Sequence, residues 1–272
     1  MSDGREGRAG IPFRALAPNA VTALALCFGL TGVRFAITAA EGNPNHWEIA
    51  LACIVGAGVL DAMDGRIARL LRADSRFGAE LDSLSDVIAF GVAPALIMFL
   101  WSLHEAPQFG WTASLTIALA CALRLARFNA RIDADDQPHK SAGYLTGVPA
   151  PAGAGVAFIP IYLWLITGND EFRAWYVTMP WIIVVALLMI SSVATFSWSS
   201  LRIRRSSRIF ALAGIGLLGA ALLTNPWLTL LAIAGLYAAM IPFSVASYAR
   251  VRRRRATASG PSAAPASLHG DG

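Results

Sequence analysis

Residues 61–86 read DAMDGRIARLLRADSRFGAELDSLSD, and the rest of the chain is best understood from this stretch outward. Four of its five aspartates, Asp61, Asp64, Asp82 and Asp86, lie within otherwise apolar helices, and the fifth, Asp74, falls in the link between them. A carboxylate in an apolar helix of membrane length costs several kcal/mol unless it is paired, hydrated or bound to a cation, so its default reading is functional. At about 100° per residue, Asp61, Asp64, Gly65, Ala68, Arg69 and Arg72 fall on one face of a helix. Gly78, Asp82 and Asp86, at successive steps of four, share one face of the next. A turn near residues 73–77 makes the two helices antiparallel neighbours. The four carboxylates are then expected to converge on one point.

Outward from that stretch the chain is strongly apolar. Of its 272 residues 56% are hydrophobic and only 14% charged, and the mean hydropathy is +0.56. Soluble domains carry about 25% charged residues, so a water-soluble enzyme is excluded. Runs long enough to cross a bilayer at about 20 residues each fall at 19–40, 47–71, 78–103, 110–130, 149–167, 175–198, 208–223 and 226–250. The fold class expected is all-α, a polytopic membrane bundle of about eight helices. The last two runs also admit a re-entrant pair, because 208–223 is short and its link to the next run is tight. No internal repeat of the kind that builds inverted-repeat transporters is visible.

The basic residues give the sidedness. Threaded through eight crossings, 20 of the 22 Lys and Arg residues fall on one face. Arg5, Arg8 and Arg14 precede the first run. Arg66, Arg69, Arg72 and Arg76 surround the second link, Arg124, Arg127, Arg131 and Lys140 the fourth, and Arg202, Arg204, Arg205 and Arg208 the sixth. Arg250 and Arg252 to Arg255 follow the last run; only Arg34 and Arg173 fall elsewhere. Cytoplasmic flanks retain such residues, so both termini are expected in the cytoplasm and the protein in the cell membrane. The net charge of +5 belongs to these flanks and to no separate basic domain, which argues against nucleic acid as a partner. The first run is too long for a signal-peptide core and reads as a retained span. Cys27, Cys53 and Cys121 all lie in apolar runs and make neither a disulfide framework nor a zinc site. The expected organisation is a polar N-terminus over 1–17, a membrane domain over 18–251 and a tail over 252–272, basic and then disordered.

The chemistry of the aspartate stretch is narrow. Four close carboxylates repel one another unless cations offset them. Oxygen ligands favour magnesium, manganese or calcium over zinc, and the stretch holds no His or Cys. Two divalent ions sharing carboxylates suit displacement at a phosphorus atom. Gly65 and Gly78 are small where a ligand or a partner helix comes close, and Arg69 offers a planar fork to a phosphate. A divalent-cation transporter is the rival from another class, but it leaves Gly65, Arg69 and Gly78 without a role. Glu48 and Glu80 lie nearer the interfaces and read as solvated.

These residues match the pattern D-x2-D-G-x2-A-R-x8-G-x3-D-x3-D, in which Asp61, Asp64, Gly65, Ala68, Arg69, Gly78, Asp82 and Asp86 occupy all eight fixed positions. In this the chain resembles the CDP-alcohol phosphatidyltransferases. The resemblance implies transfer of a phosphatidyl group from CDP-diacylglycerol to an alcohol with release of CMP. It implies two divalent cations, Mg2+ or Mn2+, bridged by Asp61 and Asp82, with Asp64 completing one shell and Asp86 ligating the other ion and acting as general base. It further implies that Gly65, Ala68, Arg69 and Gly78 line the CDP-lipid site, with Ser75 offering a hydroxyl to the nucleotide. Pro18-Asn19-Ala20-Val21-Thr22 resembles the family's first-helix segment, which makes Asn19 and Thr22 further nucleotide candidates. Asn19 reads equally well as the cap of a helix N-terminus. A homodimer in the lipid bilayer is expected by resemblance alone.

Three further segments, Phe90–Pro94, Arg124–Asn129 and Gly147–Pro151, look like the phosphatidylserine synthase branch of the family, and L-serine is the acceptor this implies. Arg124 and Arg127 are three residues apart on one helical face at the depth of the aspartates, and with Asn129 they are candidates for binding the acceptor or a phosphate. Positive-inside anchoring is the competing reading for both arginines. Glycerol 3-phosphate, an inositol phosphate or choline are the alternative acceptors. His139 and Lys140 read as a solvated loop.

Overall fold

The computed structural model describes residues 13–71, 75–132, 144–191, 194–196 and 208–258. Among the described residues, ten α-helices run in chain order: α1 Phe13–Ala40, α2 His46–Leu71, α3 Arg76–Val87, α4 Ala93–Trp101, α5 Gly110–Ile132, α6 Ala150–Ala157, α7 Ile159–Thr167, α8 Trp175–Ile190, α9 Arg208–Thr224 and α10 Pro226–Ala258. A π-helical turn, Ile88–Val92, joins α3 to α4, so that 76–101 forms one rod. Among the described residues, 16–40, 76–101, 110–130, 150–167 and 226–243 are long and apolar enough to cross a membrane, while 175–190 and 212–224 are shorter apolar helices.

α1 and α2 form the tightest pair. Gly42 turns the chain between them at φ +118°, a conformation that side chains rarely adopt. Small residues let the backbones approach: a Cβ on Gly32 would meet the Ala50 carbonyl at 2.9 Å, and one on Gly29 would meet Ala89 Cα at 2.9 Å. The buried core runs along the inner faces of α1, α2, α4, α5, α7 and α8, with Trp47, Trp101, Ile97, Met98, Ile117, Ile161 and Ile182 essentially sealed. α9 behaves differently, with Ile209, Phe210, Leu212, Ile215, Leu217 and Leu223 all exposed. Lipid tails are as apolar as leucine, so such a face is at no disadvantage in a bilayer.

Three of the expected boundaries move. α1 begins at Phe13, so Asn19 lies inside the helix and does not cap it. The sixth apolar run ends as helix at Ile190, well short of 198. Residues Ala194–Phe196 form a strand antiparallel to Tyr144–Thr146, with Leu145 opposite Thr195, so the all-α expectation gains a two-stranded ladder. The sequence there turns rich in serine and β-branched residues (Ser191, Ser192, Val193, Thr195), which compete with or crowd a helical backbone. The run after α9 is a helix of its own, and α10 continues past residue 251 to Ala258. Residues 259–272 of the expected tail, Arg5 and Arg8, Arg72 and Ala73 in the turn, and His139 and Lys140 lie outside the described residues.

The segments that suggested a branch of the family have packing roles. In Phe90–Pro94, a Cβ on Gly91 would sit 2.8 Å from Cys121 Cβ, so glycine lets α5 close against the rod. Pro94, in the first turn of α4, has no N–H to continue the preceding ladder, and the π turn lies directly before it. In Gly147–Pro151, Gly147 adopts φ +78° and packs so closely on the end of α8 that a Cβ would meet the Ser191 carbonyl at 2.9 Å.

Candidate active site

The site forms where α1, α2 and α3 meet. Asp61 and Asp64 come from the second half of α2, and Asp82 from the second turn of α3. One carboxylate oxygen from each of the three lies within 4.8 Å of the others. Asp64 is 5% exposed and Thr22 4%, and the Thr22 hydroxyl donates to Asp64 Oδ2 at 2.7 Å. α1 is thereby tied to the acidic cluster. Ser85 adds a second tie, donating to the Thr22 carbonyl at 3.2 Å. One turn beyond Asp82, Asp86 lies beside Asp61, so the fourth carboxylate gathers with the other three. The π turn starts two residues after Asp86, and its departure from α-helical pitch carries the following segment against α5.

Beside the carboxylates is a cavity of about 220 Å³, walled by Pro18, Asn19 and Thr22 of α1, Asp64, Gly65 and Ala68 of α2, and Ser75, Gly78, Ala79 and Asp82 around the start of α3. Every residue expected at the CDP-lipid site except Arg69 is on that wall. The two motif glycines serve different ends. A Cβ on Gly78 would stand 2.9 Å from Asn19 Oδ1 and 3.1 Å from Ser75 Oγ, so Gly78 is small because its own neighbours fill the space. A Cβ on Gly65 would meet nothing within 4 Å, so none of its neighbours requires a glycine there.

Ser75 is the N-cap of α3, its hydroxyl accepting from Gly78 N–H at 3.0 Å. Its hydroxyl, expected on the nucleotide, thus has a structural task at the start of α3. Arg69 is exposed, with Nε donating to the Gly65 carbonyl at 3.0 Å one turn back. That bond ties it to its own helix and leaves it off the cavity wall.

The α5 candidates separate. Arg127 is exposed and donates through Nη1 to the Ile190 carbonyl at 2.8 Å, satisfying the C-terminal end of α8. Asn129 donates to Ser83 Oγ at 3.0 Å and so joins α5 to α3 between Asp82 and Asp86. Only Arg124 faces the acidic cluster, within electrostatic reach of Asp86. Pro18, Ala79, Ser85 and Tyr237, which lies within the same reach of Arg124, were not on the sequence's list of site residues. Pro18 stood in the quoted first-helix segment and Ala79 beside Gly78, whereas nothing local marks Tyr237.

The donor set fits hard divalent cations: carboxylate oxygens from three residues close enough to share an ion, with no nitrogen or sulfur donor among them.

A sequence profile described as CDP-alcohol phosphatidyltransferase matches residues 15–198, and a second, CDP-alcohol phosphatidyltransferase 2, matches residues 207–242. Among curated proteins, the chain is 35% identical over 241 residues to the CDP-diacylglycerol–serine O-phosphatidyltransferase of Mycobacterium tuberculosis, covering 89% of this chain and 82% of that one. It is 33% identical over 184 residues to the protein of the same name from Helicobacter pylori, covering 65% and 70% respectively. A third, from Methanocaldococcus jannaschii, is 35% identical over 135 residues, covering 50% and 57%.

Proposed function

This chain belongs to the CDP-alcohol phosphatidyltransferase family, and from that premise we propose that it transfers the phosphatidyl group of CDP-diacylglycerol to the hydroxyl of L-serine, giving phosphatidylserine and CMP. The observation that carries the reading is the convergence of the motif carboxylates beside a cavity walled by Gly65, Ala68 and Gly78. The relatives named for this reaction span most of the chain.

CDP-diacylglycerol lies with its nucleotide in the cavity between α1 and the start of α3, against Asn19, Thr22 and Ser75, and with its diphosphate over Gly65. Gly65 lets the diphosphate approach the α2 backbone, and Arg69 swings from its exposed position to meet it. Asp61, Asp64, Asp82 and Asp86 would hold two divalent cations, Mg2+ or Mn2+, which would supply neutralisation of the diphosphate and of the charge that develops at phosphorus. The serine hydroxyl attacks the β-phosphorus, the bond to the CMP oxygen breaks, and CMP leaves. Asp86 accepts the hydroxyl proton. A carboxylate is a weak base toward an alcohol, so that transfer comes late, as the new P–O bond forms. Thr22 holds Asp64 by its 2.7 Å hydrogen bond, fixing one carboxylate of the cluster before substrate arrives.

The topology that suits this chemistry has eight spans, counting α2, α8 and α9 with the five longer segments. Both termini and the carboxylates then lie on the cytoplasmic side of the cell membrane, where serine and nucleotide are found. The transferase domain covers 18–251 and works as a homodimer. Purified protein in detergent, given CDP-diacylglycerol and Mn2+ or Mg2+, is expected to release CMP when L-serine is added. Release with glycerol 3-phosphate, inositol phosphate or choline and none with serine would keep the chemistry and overturn the acceptor.

A further inference from the structure

Arg124 is the member of the α5 group left without a structural task. Its Nε is shielded from solvent and has no hydrogen-bond partner among the described residues. Arg127 is engaged at the Ile190 carbonyl and Asn129 at Ser83. A buried donor with no partner carries a desolvation penalty that a matching ligand recovers, and a charged donor carries more. The Nε–H and the adjacent Nη–H of a guanidinium form the side-on fork that accepts a carboxylate.

A second polar group comes from far along the chain. α10 packs on α6 and α7, where Tyr162 stacks on Trp227 at 6.4 Å between ring centroids. Further along α10, Tyr237 comes within electrostatic reach of Arg124, and its hydroxyl oxygen is shielded from solvent. Arg124 is in turn within reach of Asp86. One guanidinium and one neutral phenol match a single negative charge better than a phosphate dianion.

We propose that Arg124 of α5 and Tyr237 of α10 bind the carboxylate of the amino-acid acceptor and so hold its hydroxyl beside Asp86. This rests on the serine-transfer reading above. It makes α10, outside the aspartate motif, part of acceptor selection.

The test compares L-serine with L-serine methyl ester and ethanolamine, which keep the hydroxyl and amine but carry no carboxylate. Initial rates of CMP release are measured in wild type, Arg124→Gln, Arg124→Lys and Tyr237→Phe. Wild type is expected to favour serine over both analogues by at least about 10-fold in kcat/KM. Arg124→Gln should lower kcat/KM for serine by about 10- to 100-fold, chiefly through KM, and collapse that preference, as loss of a charge-assisted hydrogen bond requires. Tyr237→Phe should raise the serine KM by about 2- to 10-fold, and Arg124→Lys should recover part of the loss. The KM for CDP-diacylglycerol should stay within about twofold throughout, a constancy that general damage to the fold would not leave.

An unchanged preference in Arg124→Gln, or an equal fall in kcat with every acceptor, overturns the inference alone. If Arg124→Gln does not fold, wild type using the methyl ester as well as serine, or Tyr237→Phe with an unaltered serine KM, overturns it. No serine-dependent release from wild type overturns the serine reading and this inference with it.

Discussion

The two sides of the acidic cluster are built on different principles. On the α1–α3 side, the functional positions lie on two helices joined by a short turn, and helical spacing alone brings Asp61, Asp64, Gly78 and Asp82 together. On the α5 side, three polar residues that look alike in sequence divide into two structural anchors, Arg127 and Asn129, and one side chain aimed at the cluster, Arg124. The lesson is that short-range spacing is enough to find a ligand cage. What each residue of a polar helix end does depends on which carbonyls distant helices leave to be satisfied.

The largest expected effects break the first side. Asp61→Asn and Asp82→Asn should each reduce serine-dependent CMP release by at least about 10³-fold, because each removes a carboxylate ligand that both cations would share. Residual turnover above about a tenth of wild type in either would show that the cage is not where the chemistry occurs. Asp86→Asn should reduce turnover by about 10²- to 10⁴-fold, the range of general-base catalysis, while CDP-diacylglycerol binding, followed by titration of the lipid, stays within about threefold. Equal loss of binding would leave Asp86 as a ligand alone, with no role as base.

The glycines sharpen the comparison at intermediate size. Gly65→Val adds a side chain where the protein itself leaves open space, so the melting temperature should hold while the KM for CDP-diacylglycerol rises by at least about 10-fold, some 1.4 kcal/mol. Gly78→Val instead drives atoms into Asn19 and Ser75 and should lower the melting temperature outright. Reversal of the two outcomes would exchange the roles assigned to them. The smallest effect is on the other side. Arg127→Gln loses one bond at the end of α8, costing about 1 kcal/mol of stability, with no change in the serine KM; a raised KM would return Arg127 to the acceptor site.

Much of this site could be read before the structure was known, and the limits have physical causes. Asp64, Gly65, Ala68, Gly78 and Asp82 were legible because a helix repeats every 3.6 residues and the membrane makes each charge conspicuous. Thr22 was legible only as part of a resemblance, since its bond to Asp64 crosses 42 positions. Asn19 read equally well as a helix cap because the start of α1 lies within the polar N-terminal segment, where no hydrophobic edge marks it. The strand pair of Tyr144–Thr146 with Ala194–Phe196 and the approach of Tyr237 to Arg124 come from helix packing across the whole bundle, which no local pattern encodes.

The central claim is that the carboxylate cage acts through bound divalent cations on a CDP-linked lipid. The most direct measurement is CMP release from CDP-diacylglycerol with L-serine before and after the purified protein is stripped with a chelator. Release should vanish on stripping, return with Mn2+ or Mg2+, and fail to return in Asp61→Asn. Release that persists undiminished in stripped protein would contradict the account.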